Sequence, residues 1–166
     1  MKSRKSLSGV IITCLLVALT TAATARPEER SRAPRKTMEG SWKVTVTPGQ
    51  SPVPLPPTFE SIVTYIPGGG LVESDNLAVP GSIAGTGQGA WEYAGERQFS
   101  LTFTKYLFGT QGQSLGSGRI TETISLSPGG DEYTGQGTME ILTPAGAVVF
   151  AVPLTTQGVR MKAEEQ

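Results

Sequence analysis

The chain contains no histidine and a single cysteine, Cys14. Without imidazole there is no His-based triad, and without further thiols or imidazoles the usual zinc sites cannot be assembled. Any catalysis must therefore rest on carboxylates, tyrosines or lysine, and no cofactor is expected. No metal site is expected either: Glu73 and Asp75 lie two apart on one strand face, but no calcium-loop spacing surrounds them. A long apolar run is also missing. The longest, Val10 to Leu19, is about half of the ~20 residues that a membrane-spanning helix needs, so no permanent membrane span is expected.

That short run has a recognisable setting. Lys2, Arg4 and Lys5 precede it, and the small-residue stretch from Thr20 to Ala25 follows, with Ala23 and Ala25 in the two places of an A-x-A cleavage site. Residues 1–25 are expected to be a signal peptide removed near Ala25, which sends the remainder to the periplasm or the exterior. Cys14 lies inside the run; a lipid-anchored form would need cleavage after Thr13, with Ile11 in the leucine place. The processed chain then has no cysteine, so no disulfide staples it even in a compartment that would permit one.

Processing leaves 141 residues, enough for one domain with a single core. Loss of Lys2, Arg4 and Lys5 reduces the basic residues from 14 to eleven against 14 acidic ones, a net charge near minus three, which does not suit a nucleic-acid binder. Residues 26–39 hold five basic and three acidic residues, two prolines and almost no apolar side chain, so they read as a disordered tether.

From Gly40 onward the pattern has period two, rich in Thr, Val, Phe and Tyr and punctuated by Gly and Pro. This predicts strands over 42–47, 59–66, 70–75, 89–93, 98–108, 118–127, 132–142, 147–154 and 158–162. Pro67–Gly70, Ala94–Glu96, Pro128–Asp131 and Pro144–Gly146 read as hairpin turns, because glycine supplies positive φ and proline presets the first turn position. Successive hairpins make an antiparallel up-and-down meander, and about eight or nine strands close into a barrel, which removes the exposed edges. The expected class is therefore all-β, with the barrel domain over residues 40–163.

Gly40-Ser41-Trp42 at the start of the first strand resembles the G-x-W signature of lipocalins and the wider calycin barrels. Arg160 resembles the arginine that packs across that tryptophan and closes the barrel. Over residues 40–162 the chain is similar to the small lipocalin-like barrels exported by bacteria. The resemblance implies that the loop after the first strand, Pro48–Pro57 with five prolines, partly covers an open mouth, beside the Gly/Ala/Ser-rich segment 76–88.

Alternation assigns the faces. Phe99, Leu101 and Phe103 share one face, as do Ile120, Ile124 and Leu126; with Trp91, Tyr133, Met139 and Phe150, the three from Phe99 to Phe103 are the candidates to line a ligand cavity. Glu122 stands in register with Ile120 and Ile124 and is expected to point inward, where it needs Lys105, Arg119, a tyrosine hydroxyl or a raised pKa. Glu122, Glu60 and Tyr65 are the candidates for acid-base work. Three functions stay open: a binding protein for a small hydrophobic molecule, a cofactor-free isomerase or cyclase acting on an apolar substrate, and a filled structural or interaction barrel.

The leader generates the first prediction: protein recovered from its host begins at Arg26 and carries no lipid. Intact mass spectrometry checks this, and a diacylated Cys14 would overturn it.

Overall fold

The computed structural model describes residues 37–163, so the expected signal peptide and residues 26–36 of the expected tether lie outside the described residues. Among the described residues nine strands form: β1 (Gly40–Pro48), β2 (Phe59–Ile66), β3 (Gly70–Asp75), β4 (Ser82–Ala84), β5 (Gly87–Gly95), β6 (Gln98–Gly109), β7 (Ser114–Leu126), β8 (Glu132–Leu142) and β9 (Val148–Arg160). All neighbours are antiparallel. The ring β1-β2-β3-β5-β6-β7-β8-β9 closes through the β9–β1 and β6–β7 pairings, giving an eight-stranded up-and-down barrel. The ninth strand, β4, pairs with residues 107–109 of β6 as β5 pairs with 98–104, so it prolongs the β5 position after an interruption at Gly85 and Thr86.

Strict alternation explains why this sheet closes. Trp42, Val44 and Val46 of β1, Val63 and Tyr65 of β2, Phe99, Leu101 and Phe103 of β6, and Ile120, Ile124 and Leu126 of β7 are all buried and form one core. Their outward neighbours are largely Thr, Ser and Lys, as a sheet with one wet face requires.

Besides β4, which forms inside the segment 76–88 expected as a loop, three features differ from the sequence expectation. First, the predicted strands over 147–154 and 158–162 are one strand, β9. Pro153 is tolerated because its carbonyl accepts from Gly49 N–H (2.8 Å), so the side that lacks an N–H faces the end of β1. Gly158 is no break: it lies opposite Tyr133, and any Cβ there would overlap the Tyr133 ring. Second, the β5–β6 turn runs through Glu96 and Arg97, both with positive φ (48° and 65°), rather than being carried by glycine alone. Third, residues 37–39 belong to the barrel. Met38 is completely buried, and its carbonyl accepts the Trp42 indole N–H at 2.8 Å.

The closed end is organised by one cation. The Arg160 guanidinium lies 4.2 Å from the Trp42 ring centroid and donates to the carbonyls of Thr37 (2.7 Å), Glu39 and Gly130 (2.8 and 3.0 Å). Asp131 lies 3.3 Å from its Nε. The charge therefore satisfies carbonyls of the entering strand and of the β7–β8 turn while covering an indole face. Trp42 in turn packs on Tyr133, their centroids 5.0 Å apart.

Trp42→Ala should cost about 3 to 5 kcal/mol, as large core aromatics do, and leave the Met38 carbonyl without its donor. Urea denaturation measures this; an unchanged midpoint would show that the Trp42–Arg160 packing is not needed to close the barrel.

Candidate functional site

Two adjoining spaces occupy the interior. The outer one, at the end opposite Arg160, has a volume of about 290 Å³; strand residues Leu107, Met139, Ile141 and Phe150 wall it, and Val53, Leu55, Leu77 and Val79 border it from the two long loops. The inner one measures about 40 Å³ and brings Glu122, Tyr65, Tyr133, Thr156, Ser61 and Glu73 to one place in the middle of the barrel. Asp75, Lys105, Ile120 and Met139 line both, so they form the neck between them.

The outer space exists because the wall is incomplete there. β3 pairs with β5 only up to Glu73 opposite Gly87, and the chain then leaves the sheet through residues 76–81 before β4 begins. Apolar loop residues fill that gap instead of a paired strand. Gly118 contributes on the opposite wall: it is buried, and a Cβ there would sit in ordinary contact, 3.7–4.0 Å from Lys105, Ile141 and Ile120.

The neck is ionic. Lys105 Nζ lies 3.0 and 3.2 Å from the two carboxylate oxygens of Glu73 and also pairs with Asp75. Ser61 donates to Glu73 at 2.7 Å. Burial raises the Glu73 pKa, and the Lys105 ammonium opposes that rise. Lys105 thus bridges the two carboxylates considered as a cation pair, and among the described residues no cluster of three or more His, Cys, Asp or Glu is placed to hold a metal ion.

Glu122 sits deeper, 6% exposed, wedged between Leu101 on β6 and Gly137 on β8. Of the partners expected for it, Lys105 is engaged at the neck, and Arg119 points outward to Glu140 at 2.6–2.7 Å. Glu122 instead accepts the Thr156 hydroxyl, and burial raises its pKa to about 7, with that hydrogen bond opposing the rise. The Tyr65 and Tyr133 hydroxyls bear on each other and on Glu122, and burial raises both tyrosines well above their ordinary range. The Tyr65 hydroxyl is fully buried and completes no well-formed hydrogen bond.

The expected site residues divide among different places. Glu122 and Tyr65 meet in the inner space, whereas Glu60 is on the outer face, 52% exposed and paired with Lys43 at 2.8 Å. It therefore cannot take part in interior chemistry. Leu101, Phe103, Tyr133 and Met139 line the inner space; of the expected ligand residues only Met139 and Phe150 line the outer one. Phe99 and Trp91 line neither. They belong to an aromatic chain, Tyr65–Trp91–Phe99–Tyr93, with centroids 5.3–6.0 Å apart. Trp42 and Arg160 meet at the closed end.

Sequence reasoning passed over Thr156, Ser61, Gly135 and Gly137. A Cβ on Gly135 would overlap both Glu122 and Thr156, and one on Gly137 would strike the Thr121 carbonyl and Glu122. A signal was present: Thr86-Gly-Gln-Gly and Thr134-Gly-Gln-Gly are the same tetrapeptide, and in both the alternate glycines are on the inward face of a strand, β5 and β8. Alternate glycine within a strand marks a close approach by side chains of the adjoining strands.

The Glu122 carboxyl gives a pH prediction with a definite sign. Its pKa is about 7 in the fold against 4.5 as an ordinary glutamate, so the folded state keeps a proton that the unfolded chain has lost. The associated stability is fully present below about pH 4.5 and is lost as pH rises through 7, on the order of 3 kcal/mol at ~1.4 kcal/mol per pH unit. Urea titrations should show wild type losing stability from pH 5 to pH 8. Glu122→Gln should lose less, keeping only what Glu73, raised in the same direction by burial, contributes. Equal slopes in the two proteins would mean that Glu122 is solvated.

Neither a protein-family model, nor a curated protein, nor a solved structure matches the chain, so the site is read from its own geometry.

Proposed function

We propose that this chain is an exported, lipocalin-like barrel that binds a small hydrophobic molecule in the outer space at its open end. The observation that carries the reading is the cavity of about 290 Å³, walled chiefly by aliphatic side chains with one ion pair at its floor. Small-molecule sites are concave, mostly apolar, start near ~300 Å³ and hold few polar groups, which this one matches at the small end. Export is supported by the A-x-A leader, and kinship with lipocalin-like barrels by Gly40-Ser41-Trp42 with Arg160. Binding belongs to the mouth rather than the middle, because the aromatic side chains that sequence alone offers as cavity lining largely fill the inner barrel.

A second reading has one observation in its favour. A carboxyl whose pKa lies at about 7, beside two tyrosines and below an apolar chamber, suits general acid-base work without a cofactor, as an isomerase or cyclase would need. In that case Glu122→Gln should still bind an apolar substrate and lose turnover by ~100-fold or more.

An apolar fluorescent probe, 1-anilinonaphthalene-8-sulfonate or the uncharged N-phenyl-1-naphthylamine, should bind with about micromolar affinity, near 8 kcal/mol. Gly118→Val places two methyl groups in the outer space without a clash at Cβ. It should weaken N-phenyl-1-naphthylamine at least ~10-fold while leaving the fold intact. If wild type binds neither probe, the barrel is a filled one and both readings fall; if Gly118→Val binds as wild type does, the probe sits elsewhere.

A further inference from the structure

The binding reading leaves the polar inner space unexplained, and the inference made here rests on that reading and deepens it. Among the described residues, and apart from the tyrosines Tyr65 and Tyr133, the ionisable side chains turned into the middle and neck of the barrel are Glu73, Asp75, Glu122 and Lys105. Three carboxyls thus face one ammonium, and that ammonium is committed to Glu73 and Asp75. Hydrogen-bonding capacity leans the same way, with the neutral Tyr65 and Tyr133 hydroxyls, which bear on each other, able to accept as well as donate. Ser61 and Thr156 spend their protons on Glu73 and Glu122, so what they and the carboxyls still offer is acceptors. The Tyr65 hydroxyl, fully buried and lining the same space, completes no well-formed bond. Buried polar groups of this kind are normally satisfied.

Above pH 7, once Glu122 has lost its proton, a group entering from the outer space would therefore meet surplus acceptors and one unanswered negative charge. An anion is repelled by the three carboxyls, since Lys105 already answers two of them. A neutral hydroxyl supplies one proton and no charge. A protonated amine supplies three N–H donors and the missing positive charge at once.

We propose that the ligand is an amphipathic amine, its apolar body in the outer space and its ammonium past the Lys105–Asp75 neck, against the Glu122 carboxylate and within reach of Tyr65 and Thr156. The glycine at 135 is the cradle: any side chain there would fill the place where Glu122 and Thr156 meet. The inner space, about 40 Å³, accommodates a compact head group and nothing bulkier.

The groups that face Glu122 set its response to pH. They are Tyr65 from β2, Tyr133 from β8 and Thr156 from β9, with Glu73 from β3 and Lys105 from β6 across the neck. Burial holds both tyrosines neutral, so Glu122 is the carboxyl whose proton a ligand cation must displace. Amine affinity should accordingly rise between pH 5.5 and pH 8, over which an alkylamine stays charged, and affinity for a neutral alcohol should stay flat.

The test is isothermal titration calorimetry of the full chain with hexylamine, hexan-1-ol and hexanoate, which share one apolar body. At pH 8 hexylamine should bind at least ~10-fold more tightly than either other compound, lose most of that advantage at pH 5.5, and lose it at pH 8 in Glu122→Gln. If hexanol or hexanoate equals hexylamine at pH 8, the amine proposal is overturned while the cavity reading stands. If the advantage survives in Glu122→Gln, the placement of the ammonium at Glu122 is wrong. If none of the three binds and N-phenyl-1-naphthylamine also fails, the cavity reading itself has gone and takes the proposal with it. The wild-type comparison decides even where the variant does not fold.

Discussion

A closed eight-stranded sheet has an interior of nearly fixed width, and a large side chain turned inward must be matched by a small one beside it on the adjoining strand. In this barrel the small partner is repeatedly glycine. Gly158 receives the Tyr133 ring, Gly135 receives Glu122 and Thr156, and Gly87 and Gly89 receive Phe103 and the end of Glu73. The two Gly-Gln-Gly stretches lie on β5 and β8, so the relief comes from two separate walls. Glycine in a strand costs roughly 0.5–1 kcal/mol of backbone entropy relative to alanine. Here that cost admits a plug of aromatic rings and a layer of polar groups into a cylinder too narrow for both on ordinary strands.

Position then decides what each polar group can be. Lys105 stands near the mouth, where its stem lies along Gly118 and its ammonium reaches two carboxylates. Glu122 stands one layer deeper, beyond the reach of Lys105, with a hydroxyl for a partner and no cation. A buried ion pair with hydrogen bonds to its remaining lone pairs can hold its charge, whereas a lone buried carboxyl protonates instead. A carboxyl group therefore appears in two states, ion-paired in Asp75 and proton-retaining in Glu122, a difference set by whether an ammonium stands beside it.

Much of this architecture was legible from residue order because period two survives closure. The inward set Phe99, Leu101, Phe103, Ile120, Glu122, Ile124 could be read directly, since polar residues occupy the alternate places. β2 was harder. Ile62 and Ile66 are about half exposed and alternate with the buried Ser61, Val63 and Tyr65, so both faces look apolar. Glu60 and Tyr65 lie five apart and cannot share a face on one regular strand, which is a constraint that alternation alone could have enforced. Phe99 and Trp91 were misread for a different reason: sequence distinguishes inward from outward but not one end of a barrel from the other, and both lie in the closed-end packing. The outer space was invisible because it depends on where β3 stops pairing, and nothing local in Asn76–Gly81 states that the neighbouring wall ends there. Met38 was lost to a compositional argument. One apolar residue in a charged stretch carries no weight in an average, yet it supplies the carbonyl on which the Trp42 indole depends.

The two ends of the barrel are consequently not equivalent to anything that must enter it. At the closed end Trp42, Tyr133 and Arg160 are each almost wholly buried, and the guanidinium is saturated by three carbonyls and an aspartate. Neither a proton nor a ligand has a path there without breaking several charge-assisted hydrogen bonds together. The middle layer must therefore exchange with solvent through the mouth, past Lys105 and Asp75. An ion pair is a suitable guard for such a passage, since a long lysine stem rotates at the cost of its contacts to Glu73 and Asp75, whereas a packed aromatic would have to leave its socket. The same lysine that pairs with two carboxylates is thus the movable part of the neck, and the burial that raises the pKa of Glu122 also makes this neck its route to a proton or a counter-ion.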